Sequence, residues 1–482
     1  MPNNSFSKEA LFCIHLTESI SESTRIQLTN SLNTQIEYSW RLQDESNCSQ
    51  TICLHFLGLV SLERDAFKTI LSEFESSEYA ALYFDSFSKG SSLGTKYKQN
   101  FRPVWSPERF LQFNFLGNLI AVDARNNSYP AALSIWDFIW NSKFGLAKNP
   151  IAIEIEKDLA ADKSHANWVT TWLDQNREKV DITLEKISEV SYKSYAPDRV
   201  SVVIPTRGQI KPGEEHPLVI TAIESTIAQN LIDTKLEVIV VYDDDVELDY
   251  LNLIKHLVPS TVELKLISFT PPFNFSQKCN VGANHANGEV LLFLNDDVKW
   301  RSNSGLLELS GIAMLDSVGA VGAKLFFEDE KIQHAGIVAI QGNVGHAYFK
   351  ETNSNKPFGD LAVTHEVSGV TGACLAQRKN IWQELNGWDE EYENSYNDVD
   401  YCFRIRESGR SVLISNQVEL YHFESVTRDA SFSEKTKMQL ATRWKDYLIN
   451  DQYFRQYVHD QLAKPSNSKF LQKLKRRIRR FL

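Results

Sequence analysis

The chain has 482 residues, 42% of them hydrophobic and 23% charged. That is a globular composition; it excludes a wholly disordered chain, a collagen and a pure coiled coil, and the length predicts two or three domains. The formal charge is −11, but residues 469–482 hold seven Lys or Arg and no acid, and removing those seven from the 51 basic residues leaves 44 against 62 acidic. So acidic a body argues against non-specific nucleic-acid binding, and an anionic ligand there needs a metal or a local basic cluster.

The cysteines (Cys13, Cys48, Cys53, Cys279, Cys374 and Cys402) are scattered without a C-x-x-C pair, which predicts reduced thiols. The N-terminus lacks the basic and long apolar regions of a signal peptide, and no apolar run of about 18 residues is present. The expected location is the cytoplasm, or the inner face of the plasma membrane.

Along the chain, residues 51–60 (TICLHFLGLV) and 79–84 (YAALYF) predict strands, with a helix over 65–74 between them. No acidic cluster follows either strand. The polar stretch 187–198 (ISEVSYKSYAPD) predicts a linker. Next come a strand at 199–206 (RVSVVIPT), a helix over 216–229 and a strand at 236–242 (LEVIVVY), followed by Asp243, Asp244 and Asp245. A further strand at 289–294 (EVLLFL) precedes Asn295, Asp296 and Asp297. This alternation predicts a parallel sheet with helices on both faces, and such sheets bind ligands at the strand C-termini, where these acids lie. A short strand at 411–414 and a polar turn precede His422, and a helical pattern runs from Asp429 to about 461. The expected units are residues 1–190, 191–430 and 431–482.

The acidic clusters read in two ways. DDD alone is as readily a solvated turn as a nucleotide contact, and NDD is built from ordinary turn residues. Two clusters, each after a buried strand, favour nucleotide and divalent-metal binding, since Mg²⁺ or Mn²⁺ prefers oxygen ligands. Asp398 and Asp400, at the start of an apolar-periodic stretch, suit helix capping or, for a carboxylate facing a hydroxyl, general base catalysis. His422 has Ser425 and Arg428 nearby in sequence, which suit phosphate oxygens. His334 and His346 read equally as pocket-lining or structural.

Taken in order, VSVVIPTRG, PFNFSQKCNVGANHANGEVLLFLNDDV, VGAVGAKLFF, IQHAGIV, VTGACLAQRK, GWDEEY, NDVDYCFRIRESG and ELYHFESVTR resemble the family-2 glycosyltransferases, over about residues 200–428. The nearest likeness is to bacterial enzymes of O-antigen and other surface-polysaccharide synthesis, rhamnosyltransferases among them. The resemblance implies a GT-A fold: an α/β, Rossmann-like, mostly parallel sheet flanked by helices. It implies an inverting, metal-dependent transfer from a nucleotide-sugar donor to a glycan or lipid-linked glycan acceptor. Pro205, Thr206 and Arg207 would line the nucleotide pocket, with Asp243 or Asp244 on the base or ribose. Asn280 and Arg428 are counted with the donor-binding residues. Asp297 would hold Mg²⁺ or Mn²⁺ on the donor diphosphate, Asp296 would contact metal or ribose, and His422 would complete the metal site. Gly372 and Ala373 would lie near the donor sugar or acceptor, and Asp398 would be the base. YDDDVE replaces the usual DDGS turn, and Asn397 replaces the Glu of the ED motif. dTDP-rhamnose or a UDP-sugar is the donor that the analogy suggests. An inactive scaffold of a polysaccharide-assembly complex is the competing reading, and the intact NDD, NDVD and His422 set argues against it.

LYFDSFSKG and KYKQNFRPVWSPERFLQFNFLGNLIAVDA resemble, more faintly, part of a second glycosyltransferase domain. HFLG at 55–58 stands where its metal motif is expected, which predicts a degenerate, smaller α/β domain. In the tail, Phe470, Leu474, Ile478 and Phe481 fall on one helical face among basic residues, which predicts an interfacial helix on an anionic membrane leaflet.

Overall fold

Short buried apolar runs make the N-terminal strands. They are β1 (Phe12–Leu16), β2 (Trp40–Leu42), β3 (Ile52–Phe56), β4 (Ala81–Tyr83), β5 (Leu119–Asp123) and β6 (Phe144–Leu146). β3 and β5 are buried at every position, as strands covered on both faces must be. The structure is a computed structural model. It describes residues 12–16, 22–35, 40–42, 51–57, 60–63, 65–89, 97–116, 119–125, 135–147, 152–154, 159–175, 181–182, 190–211, 213, 215–270, 272–423, 434–449 and 451–463.

The six strands form one sheet in the order β2-β1-β3-β5-β4-β6. β1 is parallel to β2 and β3, β5 is antiparallel to β3 and β4, and β4 is parallel to β6. The single strand expected over 51–60 is in fact two. Val60–Leu62 leaves the line of β3 and pairs with Ala152–Glu154 in a separate four-stranded sheet.

The larger sheet is built from β7 (Arg199–Thr206), β8 (Lys235–Asp243), β9 (Glu263–Phe269), β10 (Val290–Leu294), β11 (Val298–Trp300), β12 (Val318–Phe326), β13 (Ile332–His334), β14 (His365–Glu366), β15 (Cys374–Arg378) and β16 (Ser411–His422). Its order is β9-β8-β7-β10-β15-β12-β16-β11, with β13 on β12 and β14 on β16. The first four strands in this order are parallel, as the alternating pattern requires; β15 then enters antiparallel between β10 and β12. Helices α1 (Leu218–Ile227), α2 (Phe275–His285) and α3 (Asn397–Glu407) belong to this half.

Within the larger sheet, β8-β7-β10-β15-β12-β16 repeats the wiring of the N-terminal sheet. Numbered in chain order, both sets read second, first, third, fifth, fourth, sixth, and in both the fifth strand alone runs antiparallel to its two neighbours. β3 therefore stands where β10 stands. β10 is followed by Asn295, Asp296 and Asp297, whereas β3 is followed in sequence by Leu57, Gly58 and Leu59.

The folded chain refines what was expected of the polar turn, the linker and the C-terminal helices. Residues 411–422 form one strand, β16, but its pairing with β12 jumps from Ser415 to Glu419, so the polar residues expected as a turn form a bulge within the strand. Its polar residues are satisfied in place: Asn416 Nδ2 donates to the carbonyls of Asp360 and Val363, each at 3.0 Å. The linker, where described, is docked, with Tyr192 buried and its N–H donated to Glu308 at 3.1 Å. The C-terminal helical pattern is two helices, α4 (Glu434–Arg443) and α5 (Arg455–Ala463). Among the described residues no helix is long and apolar enough to cross a membrane. The basic tail lies outside them.

Candidate active site

The C-terminal ends of β7, β8, β10 and β16 bring the acidic motifs together. Parallel register sets Thr206 beside Tyr242, one residue before Asp243. Antiparallel pairing of β11 with β16 sets His422 opposite Val298, one residue after Asp297. Residues far apart in sequence thus meet because strand register fixes them there.

Asp297 Oδ1 lies 3.0 Å from His422 Nε2, and both side chains are buried. Asn295 Nδ2 lies 3.1 Å from the same imidazole nitrogen. Thr206 Oγ1 donates to Asp296 Oδ2 at 2.6 Å. Burial, reinforced by the neighbouring Asp297 carboxylate, pushes the Asp296 carboxyl up to about 6.

Lys278 is the counter-charge that sequence reasoning missed. Its side chain is fully buried; Nζ donates to the Thr206 carbonyl at 2.6 Å and pairs with Asp243 Oδ1 at 2.6 Å. Burial lowers its pKa, and the pairing with Asp243 opposes that shift. Arg207 Nε approaches the other oxygen of Asp243 at 3.6 Å and stacks over Phe273. Lys278 reaches this place because α2 presses on β7: a Cβ on Gly282 would sit 2.3 Å from Val203 Cγ1. Lys278 and Gly282 are four residues apart and share that helix face. The available signal was a lysine between Phe275 and Cys279 on an otherwise apolar face.

Asp398 sits in the first turn of α3. Its Oδ2 accepts from Gly372 N–H at 3.1 Å and its Oδ1 from Val399 N–H at 2.9 Å, so the carboxylate is held against the 371–373 turn. On the preceding residue, Thr371 N–H donates to His334 Nε2 at 3.3 Å, and His334 Nδ1 meets His346 Nδ1 at 2.6 Å. Burial pushes the His334 imidazole well below its ordinary range, so that ring is neutral.

Two further residues were expected to bind the donor, Asn280 and Arg428. The Asn280 amide is engaged by the 388–390 loop: Nδ2 donates to the Trp388 carbonyl at 2.8 Å and to Glu390 Oε1 at 3.0 Å, and Oδ1 accepts from Trp388 N–H at 2.8 Å. It braces that loop. Arg428 lies outside the described residues. Asp244 follows Asp243, its N–H donating to the Phe269 carbonyl at 3.3 Å, and Pro205 is within β7.

The donor set fits a hard divalent cation. Asp297 and His422 offer two ligand atoms facing one point, and Asn295 Oδ1 is buried beside them without a hydrogen-bond partner. Among the described residues no group of three or more His, Cys, Asp or Glu could hold a metal alone. A site with few protein ligands is the arrangement in which phosphate oxygens and water complete the shell.

Residues 197–445, just over half of the chain, match the family described as Glycosyltransferase like family 2. The chain belongs to this family. Over 247 residues it is 34% identical to the O-antigen biosynthesis protein RfbC of Myxococcus xanthus, covering 49% of this chain and 19% of that protein. Over 263 residues it is 32% identical to y4gI of Sinorhizobium fredii, a protein of uncharacterised function, covering 52% of this chain and 28% of that one. The chain therefore spans less than a third of either relative. Among solved structures it is similar to GalNAc-T7 with UDP, GalNAc and Mn²⁺, at a TM-score of 0.43 and 14% identity, over 56% of this chain and 52% of that one.

Proposed function

We propose that the chain transfers a sugar from a nucleoside-diphosphate donor to a hydroxyl of a glycan or lipid-linked glycan in surface-polysaccharide synthesis. The observation that carries this is the meeting, in a family-2 domain, of the Asp297–His422 pair with the Lys278–Asp243 pair at the strand C-termini. Asp398 lies in the same half, anchored through Gly372.

In this reading Asp297 and His422 hold Mg²⁺ or Mn²⁺, which supplies charge neutralisation for the diphosphate leaving group. Asp243 or Asp244 receives the base or ribose, with Thr206 and Arg207 lining that pocket. Asp398 takes the proton of the acceptor hydroxyl as its oxygen bonds to the anomeric carbon. The bond from that carbon to the diphosphate breaks in the same displacement, so the configuration inverts. Asp398 is suited to this because two backbone N–H groups fix both of its oxygens.

The repeated strand order supports reading residues 1–190 as a second, degenerate glycosyltransferase-like unit in which apolar residues replace the metal motif. In the same reading residues 469–482 bring the enzyme to the inner membrane face, where a lipid-linked acceptor lies. The test is a donor screen over UDP-, GDP- and dTDP-sugars, dTDP-rhamnose included, detecting released nucleoside diphosphate with Mn²⁺, with Mg²⁺ and with EDTA. Metal-dependent release from one donor is expected. Folded protein that binds no donor in a parallel titration would leave the scaffold reading in its place.

A further inference from the structure

Gln333 is buried in the short strand β13, within the IQHAGIV string, and the sequence assigns it no role of its own. A register shift places it: Leu325 pairs with His334 and Phe326 with Ile332, so Gln333 is the extra residue of a bulge. Bulges re-aim side chains, and this one turns Gln333 onto the His422 ring. Its Oε1 lies 2.6 Å from His422 Nδ1, and its Nε2 donates to the His422 carbonyl at 3.4 Å.

The second contact decides the amide's orientation. A carbonyl only accepts, so the amide nitrogen faces it and the amide oxygen faces Nδ1. That oxygen also only accepts, so Nδ1 carries a proton. In the neutral ring Nε2 is then a lone pair. In this tautomer the Asn295 Nδ2 donor, 3.1 Å away, faces the bare nitrogen. Asp297 Oδ1 faces the same lone pair at 3.0 Å. Two acceptor atoms at that distance repel unless positive charge, a bound cation or a second ring proton, relieves them.

We propose that Gln333 is a positioning residue: it fixes His422 as the Nδ1–H tautomer and aims Nε2, together with Asp297, at one divalent cation. This rests on the reading of Asp297 and His422 as cation ligands. Gln333 grips ring and backbone of the same residue, so it sets both the tautomer and the ring angle, and partners of this kind tune metal affinity by about 10–100-fold.

The experiment is a Mn²⁺ titration of the full chain, alone and with UDP, GDP or dTDP, followed by electron paramagnetic resonance without turnover. Gln333→Met removes both contacts and is expected to weaken Mn²⁺ binding about 10–100-fold. Gln333→Glu retains an acceptor at Nδ1 and is expected to bind within a few-fold of wild type. Equal affinity of wild type and Gln333→Met overturns this inference alone. A wild type that binds no Mn²⁺ with any of the diphosphates overturns the cation reading, and this inference with it. Nitrogen-15 histidine spectra of the metal-free wild type, assigned with His422→Gln, test the tautomer without the Gln333 variants. A protonated Nε2 with a bare Nδ1 overturns the assignment.

Discussion

Arg455 closes on Asp85 through two parallel contacts, Nη1 to Oδ1 at 2.8 Å and Nη2 to Oδ2 at 2.7 Å. Asp85 is the surviving carboxylate of the N-terminal LYFDSFSKG string, and it is buried. It also accepts from Arg102 N–H at 2.8 Å, and Arg455 donates to the Arg102 carbonyl at 2.7 Å. The carboxylate is thus occupied in fastening α5 to the N-terminal half. Arg455→Met leaves that carboxylate buried with a single strong partner. A buried pair broken on one side costs about 3 kcal/mol or more. Urea denaturation should show that loss, and the Asp85→Asn/Arg455→Met double variant should lose less than the sum of the singles. An unchanged midpoint for Arg455→Met would show that the pair is not a fastening.

Asp398→Asn keeps the side-chain size and one oxygen for the Gly372 N–H, but it removes the proton acceptor. The turnover number should fall about 10²–10⁴-fold while the dissociation constant of the donor stays within a few-fold. Asp297→Ala should behave differently, weakening metal-dependent donor binding itself. If both variants lose donor affinity equally, Asp398 is acting on the fold of the 371–373 turn and the base lies elsewhere.

The strands that carry the site were legible because each is a buried apolar run, two of them ending in acids: RVSVVIPT, LEVIVVY and EVLLFL appear as β7, β8 and β10. β16 was misjudged where its polar residues, Asn416 above all, find partners only in the folded chain. Gln333 stands in the IQHAGIV string, but its role was not legible there because it comes from a bulge, which is a property of pairing between two strands. Lys278 left a faint one, a charge on an apolar helix face. The N-terminal sheet shares its strand order with the larger sheet, although its sequence resemblance is faint. Strand order depends on which segments are buried and extended, and many sequences satisfy that.

Gly282→Ala sets two effects against each other. Alanine favours a helix over glycine by about 1 kcal/mol. The added Cβ, however, would lie 2.3 Å from Val203 Cγ1, an atom of a fully buried β-branched side chain with no room to retreat. Overpacking of this kind costs about 1–3 kcal/mol, so the net change should be destabilising. Because Lys278 shares the displaced face, donor affinity should fall as well. An Ala variant as stable as wild type would mean that α2 can move away from β7 freely.

Glu366 gives a pH signature remote from the carboxylates of the site. It is buried, accepts a hydrogen bond from the Ser106 hydroxyl, and borders a cavity of about 550 Å³ that is also lined by Trp105, Tyr453 and Arg455. Burial pushes its carboxyl up to about 7, opposed by the Ser106 hydrogen bond; the Glu108 carboxylate adds to the rise and the Arg109 guanidinium reduces it. Its ordinary value is 4.5. Between pH 4.5 and about 7 the folded chain holds this proton more tightly than the unfolded chain. The stability from the protonated carboxyl is therefore fully present below the lower value and is lost as pH rises through the upper one. Glu366→Gln keeps the shape and an acceptor for Ser106 without the charge. Its stability relative to wild type should be near zero below pH 4.5, grow through pH 7 and level off above, by at most about 3 kcal/mol. Denaturant unfolding at several pH values measures this difference. A difference that does not change with pH would mean that Glu366 is ionised in the folded chain throughout.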